Sequence, residues 1–207
     1  MRVRRCAPAQ SRVRLALMLW GCLGVSFAVG NAVAQSPSEQ TLQLCAACHG
    51  DKGNSQMPRS PSLAGQPRVF IENQLVMIRE GLREVAQMKG LLAEMKDEEF
   101  TALAKYFSQQ KIQPQATALD ASKAARGAVL SKRGQCGSCH LPDYAGRDQM
   151  PRLAGQREDF LLSSMKDFRD GRATGRDTIM VATLRGTSDA ELTDLAHYFA
   201  TSGIQLK

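Results

Sequence analysis

Two Cys-x-x-Cys-His motifs, Cys45-Ala46-Ala47-Cys48-His49 and Cys136-Gly137-Ser138-Cys139-His140, begin 91 residues apart in this 207-residue chain. Two thiols three residues apart share one face of a helical turn. Each can form a thioether to a haem vinyl while the adjacent imidazole offers a nitrogen to the iron. Two motifs therefore predict two covalently attached haem c groups per chain, and two haems make electron transfer the leading function. Zinc knuckles also use Cys-x-x-Cys, but they keep their ligand pairs within about 20 residues of each other. A thioredoxin-like dithiol wants a βαβ setting, and no strand alternation surrounds either motif.

The first 34 residues read as a secretory signal rather than as part of the fold. Arg2, Arg4, Arg5, Arg12 and Arg14 precede an apolar run from Leu15 to Ala34 that ends in Ala32-Val33-Ala34, a small-residue cleavage pattern. The run is long enough to span a membrane, but Gly21, Gly24, Ser26, Gly30 and Asn31 dilute it, which favours cleavage before Gln35 over a retained anchor. Export to the periplasm follows. The formal charge of +7 is mostly a property of this segment: the rest of the chain carries 22 basic and 20 acidic side chains, which gives no argument for nucleic acid. Of six cysteines, Cys6 and Cys22 fall in the signal and the other four are in the two motifs, so none is left for a disulfide.

Beyond the signal the chain repeats itself. Pro61-x-Leu63-Ala64-Gly65-Gln66 returns as Pro151-x-Leu153-Ala154-Gly155-Gln156, and Phe70, Ile71, Leu75, Ile78, Arg79 and Gly81 return as Phe160, Leu161, Met165, Phe168, Arg169 and Gly171. Positions 71, 75 and 78 have the spacing of one helical face. Phe100, Leu103, Ala104 and Phe107 form a second such face, matched by Leu192, Leu195, Ala196 and Phe199, with Ser188 and Glu191 spaced as a capping box. The expectation is an all-α protein of two haem domains: a signal over 1–34, one domain over 35–113 and a second over 114–207. An apolar core alone is marginal at this domain size, and the macrocycle would supply what is missing.

A second axial ligand is needed opposite each histidine. His197 aligns with Lys105 in the repeat, so a solvent-facing position is expected for it, which leaves methionine sulfur. Met57 and Met150 follow their histidines too closely to reach the far face. Met77, Met95 and Met165 have no methionine counterpart. Met88 and Met180 alone correspond, 39 and 40 residues after His49 and His140, each nine residues before the closing helix; ordinary core packing is the alternative reading. A soft, neutral thioether raises the potential relative to harder donors, and a filled iron argues against catalysis there. Arg79 and Arg169 suit either haem propionates or the dipole at a helix C-terminus. Gln66 and Gln156 suit either propionates or a loop cap.

Cys-Ala-Ala-Cys-His-Gly at 45–50, Gly53-Asn54-Ser55, the two Leu-Ala-Gly-Gln segments and the Tyr-Phe pairs at 106–107 and 198–199 resemble the cytochrome c4 family over essentially the whole exported chain. The resemblance implies two tandem class I cytochrome c folds related by a pseudo-twofold axis, with His/Met ligation at both haems. It also implies a periplasmic carrier, soluble or loosely membrane-associated, that serves a terminal oxidase. Carried over by position, the haem residues are Cys45, Cys48, His49 and Met88, then Cys136, Cys139, His140 and Met180. Leu141-Pro142 stands where the first half has Gly50-Asp51, and the segment from Gly81 to Met88 is two residues shorter than that from Gly171 to Met180. Unequal haem environments follow from both departures.

Two rivals stand beside the carrier. The dihaem subunit of flavocytochrome c sulfide dehydrogenase is similar in pattern, which would make the chain the dedicated acceptor of a periplasmic dehydrogenase. A dihaem peroxidase would need an open distal position and acid–base groups beside it, whereas this chain offers matched methionines and one spare histidine. The expected partners are redox proteins: an oxidase, a quinol–cytochrome c oxidoreductase or a periplasmic dehydrogenase.

Overall fold

The computed structural model describes residues 36–203 apart from 89, 114 and 116. The signal expected over 1–34 lies outside the described residues. Among the described residues eight α-helices follow in order: α1 (Glu39–His49), α2 (Arg68–Arg79), α3 (Asp97–Ser108), α4 (Ala121–Arg133), α5 (Cys136–His140), α6 (Glu158–Arg169), α7 (Thr178–Leu184) and α8 (Asp189–Thr201). Single 3₁₀ turns lie at Asp51–Gly53 and Ala86–Met88. Among the described residues the one β-type pairing is an isolated bridge between Arg147 and Met150. No helix among them is long and apolar enough to cross a membrane.

The apolar stripes read from the sequence face inward. In the first half Ile71 of α2 meets Leu103, Ala104 and Phe107 of α3, with Leu42, Cys45 and Leu75 packed around them. The second half has the larger core: Leu161, Met165 and Phe168 of α6 against Leu192, Leu195, Ala196 and Phe199 of α8, with Leu184 of α7. Helix starts are set by local hydrogen bonds. The Ser38 hydroxyl accepts from the Thr41 N–H at 3.1 Å, and the Asp120 carboxylate accepts from the N–H groups of Ser122 and Lys123, each at 3.0 Å. At α8 the capping box forms in full: the Ser188 hydroxyl accepts from Glu191 N–H at 3.3 Å, and Glu191 accepts from Ser188 N–H at 2.9 Å.

Helix α4 lies directly on α8. Gly127 makes this possible, because a Cβ there would fall on the Asp194 carbonyl and the Tyr198 side chain. The Arg126 guanidinium then forks onto the Asp194 carboxylate with two bonds of 2.7 Å, and Arg133 reaches Glu191 at 2.7 Å. Between α3 and α4 the chain runs along the first half. Asn54 bonds the Lys111 carbonyl at 3.1 Å and accepts from Gln113 N–H at 2.9 Å, and the buried Gln115 amide reaches Ser62 Oγ at 3.3 Å.

His197 corrects an expectation. It is 2% exposed, not solvent-facing. Its Nε2 accepts from Asp120 N–H at 2.9 Å and its Nδ1 faces the Glu158 carboxylate at 3.1 Å, which ties α8 to the start of α4 and to α6. Lys105, its counterpart, is exposed on α3. The alignment missed the difference because α4 reaches back over α8 and brings Asp120 onto the histidine.

Candidate functional site

Both attachment motifs end helices. In the first half Cys45, Cys48 and His49 occupy the last turns of α1, and in the second Cys136, Cys139 and His140 make up most of α5. The second motif is set apart from α4 by a turn in which Gln135 takes φ 52°. Among the described residues the four motif cysteines form no disulfide, with Cys48 and Cys139 exposed and Cys45 and Cys136 partly packed into the cores. Burial pushes the Cys45 and Cys136 thiols above their ordinary value.

The two histidines are held alike. Nδ1 of His49 lies 2.8 Å from the Pro61 carbonyl, and Nδ1 of His140 lies 2.9 Å from the Pro151 carbonyl. A carbonyl can only accept, so Nδ1 carries the proton and Nε2 presents its lone pair. Burial lowers both imidazole pKa values, which the proline carbonyls partly offset, and the neutral ligand form is favoured. A pair of thiols and a neutral, oriented imidazole on one helical turn is the donor set that covalent haem requires, so the residues fit the group at both sites.

The expected distal residues differ in setting. Met88 closes the 3₁₀ turn Ala86–Met88 and is half-buried. Met180 sits in α7, a helix started by the Asp177 carboxylate accepting from Ile179 N–H at 2.8 Å, and packs against the second core.

The other singled-out residues have protein partners. Arg79 binds Asp97 at 2.7 Å, Glu80 at 2.8 Å and the Met95 carbonyl at 3.0 Å. Arg169 repeats this with Asp189, Asp170 and the Thr187 carbonyl. Each arginine thus joins the end of the middle helix to the start of the closing one, which favours the helix-terminal role over the propionate role. Gln66 and Gln156 turn to the opposite half. The Gln66 amide accepts from Arg152 N–H at 2.9 Å and donates to Arg152 C=O at 3.0 Å. The Gln156 amide does the same to Ser62, at 2.8 and 2.9 Å. Ser62 and Arg152 occupy one position of the repeat, so the contact recurs with the halves exchanged, as a twofold relation demands.

Sequence reasoning missed Arg152, although its place between the paired Pro and Leu was visible. Its guanidinium is 2% exposed, donates to the carbonyls of Ala64 (2.9 Å) and Ala154, and leaves Nε without a partner. Burial pushes its pKa down to about 10, so it stays charged at neutral pH. One cation is therefore sealed between the two halves, bonded to equivalent carbonyls of each.

A family model described as cytochrome c oxidase, cbb3-type, subunit III matches residues 32–107, and one described as cytochrome c matches residues 124–202. Cytochrome c4 of Pseudomonas aeruginosa is 31% identical over 193 residues, covering 88% of this chain and 94% of that one. The crystal structure of reduced recombinant cytochrome c4 from Pseudomonas stutzeri superposes with a TM-score of 0.72 at 31% identity, covering 79% of this chain and 95% of that chain. A protein of Thiomonas intermedia named thiosulfate dehydrogenase electron acceptor is 31% identical over 168 residues, covering 75% of this chain and 77% of its own length. The similarity extends past the attachment motifs to the paired-domain architecture itself, and the chain therefore belongs to the cytochrome c4 family of dihaem electron carriers.

Proposed function

We propose that the chain is exported to the periplasm by a signal over residues 1–34 and passes single electrons between redox proteins. Its two domains run over 35–113 and 114–207, with His49 and Met88 as axial ligands at one iron and His140 and Met180 at the other. The observation that carries this reading is the matched pair of histidines, each with Nδ1 tied to a proline carbonyl and Nε2 left for a metal. Haem c held at each cysteine pair supplies a one-electron couple.

The protein's part is to fix and to exclude. The proline carbonyls set the tautomer and ring orientation of each histidine, so little rearrangement accompanies a change of charge at the metal. The thioethers of Met88 and Met180 would offer the iron soft, neutral donors, which favour the reduced state relative to harder ones. A methionine at each iron would leave no position for substrate, which supports a carrier rather than an enzyme. An oxidase, a quinol–cytochrome c oxidoreductase or a periplasmic dehydrogenase fits as partner. The Thiomonas relative supports a second reading, in which the chain is the dedicated electron acceptor of a dehydrogenase acting on a sulfur compound.

The test is the ferric absorption spectrum of the purified protein with haem counted per chain. Two haems and a methionine-sulfur-to-iron charge-transfer band of full intensity are expected, with Met88→Ala and Met180→Ala each removing about half. A band absent from the wild type overturns the ligand assignment. The mass of the purified chain reports cleavage before Gln35, and stable co-purification with a dehydrogenase selects the second reading.

A further inference from the structure

The loops that lead into Pro61 and Pro151, whose carbonyls orient His49 and His140, are braced differently in the two halves. The second loop braces itself: Arg147 and Met150 exchange backbone bonds of 2.9 and 2.7 Å. The first is closed by Ser60 N–H donating to Met57 C=O at 3.2 Å, with Arg59 at φ 60° inside the turn. A non-glycine residue keeps that conformation where its surroundings hold it. Ser60 also lies beside the histidine, its hydroxyl 3.4 Å from His49 Nδ1. A shift of this turn is therefore felt at the carbonyl that sets the ring.

The brace for the first loop comes from the other half. Asp159, in the first turn of α6, accepts from Arg59 N–H at 2.9 Å. Arg157 forks onto the same carboxylate with bonds of 3.0 and 2.9 Å, and donates to Ser55 C=O near the start of the loop at 3.3 Å. Burial opposes the Asp159 charge, but Arg157 and the N–H groups of Arg59 and Phe160 outweigh it and hold the carboxyl below its ordinary value. The bond to Arg59 is thus charge-assisted and stronger than a neutral one. The twofold relation breaks at this point. Counting from the paired Gln66 and Gln156, Pro67 and Val69 stand where the second half has Arg157 and Asp159. Neither of those side chains can donate or accept.

We propose that Asp159, steadied by Arg157, is a positioning residue for His49: a carboxylate of the second half holds the turn whose carbonyl orients the axial histidine of the first. Val69 gives His140 no such support, so docking of the halves tunes one histidine and not the other. The inference rests on the dihaem reading.

The experiment uses the haem-loaded protein as wild type, Asp159→Asn and Asp159→Val. Both variants remove the charge, but the asparagine amide oxygen still accepts from Arg59 N–H and valine cannot. Nitrogen-15 NMR of the reduced state reads exchange of the His49 and His140 ring N–H protons, and potentiometry reads both haems. In Asp159→Val the His49 ring proton is expected to exchange at least about tenfold faster than in Asp159→Asn, with His140 unchanged. A weaker Nδ1 bond makes the imidazole a poorer donor, so the first haem should have a higher midpoint potential in Asp159→Val than in Asp159→Asn, while the second keeps its value. Ring exchange and potentials that coincide in the two variants overturn the proposal. The wild type supplies a check that needs no variant: the Arg59 amide should be protected from exchange although its turn is exposed, and free exchange there overturns the proposal as well. The haem count and charge-transfer band are read on the same samples, so failure of the carrier reading is distinguishable from failure of this one.

Discussion

Gly50 and Leu141 follow the two histidines in one backbone conformation, φ 74°, ψ 171° and φ 70°, ψ 157°. Glycine adopts positive φ without cost, whereas leucine does so under strain. The following Pro142 holds Leu141 to an extended ψ, so the strain falls on φ. Leu141→Gly is expected to stabilise the second half by about 1 kcal/mol, read as a higher denaturation midpoint at unchanged haem content. His197 makes the opposite case. His197→Ala would leave the Asp120 N–H and the Glu158 carboxylate without their buried partner and should cost about 2 kcal/mol in chemical denaturation. Neither effect is legible from residue type. The sequence pairs Leu141 with a glycine and His197 with a lysine, but only the folded chain gives the dihedral and the covering helix.

At the scale of elements, helix placement follows from patterning because each helix needs one apolar face and one capped start. The stripes at 71, 75 and 78 and at 192, 195, 196 and 199 were readable for that reason, as was the box at Ser188 and Glu191. What patterning does not encode is how closely two helices approach. Gly127→Ala improves helix propensity by about 1 kcal/mol, yet its methyl would meet the Asp194 carbonyl. Overpacking should win, for a net loss of about 2 kcal/mol and a lower unfolding midpoint. The same helix ends fix the acid response. The Ser188 N–H and Arg133 hold the Glu191 carboxyl down to about 2, and Arg169 and Arg172 hold Asp170 down to about 2. Since the folded-state values lie below the ordinary carboxylate range of about 4, this stabilisation is complete above that range. It is lost as pH falls toward 2. Thermal midpoints should be flat from neutral pH to about pH 5 and fall below about pH 4, with Glu191→Gln showing a shallower fall.

For the whole molecule the deciding contacts cross between the halves. Gln66→Ala and Gln156→Ala each delete two such bonds and strand a buried backbone N–H and C=O, so each should cost about 2 kcal/mol or more. Because the contacts are equivalent, the two losses should be similar. The double variant is expected to unfold in two separated steps, seen as non-coincident haem and helix signals.

The sequence by itself determined the chemistry: two thiol pairs, two imidazoles, a doubled helical pattern and hence a dihaem carrier. That information is local, since covalent attachment demands fixed residue types within a single helical turn. The tertiary structure alone decided how the halves lock together, why His197 is buried and where Arg152 is sealed. The partners there are backbone carbonyls and amide groups brought together from distant segments, and none of these leaves a spacing in the chain.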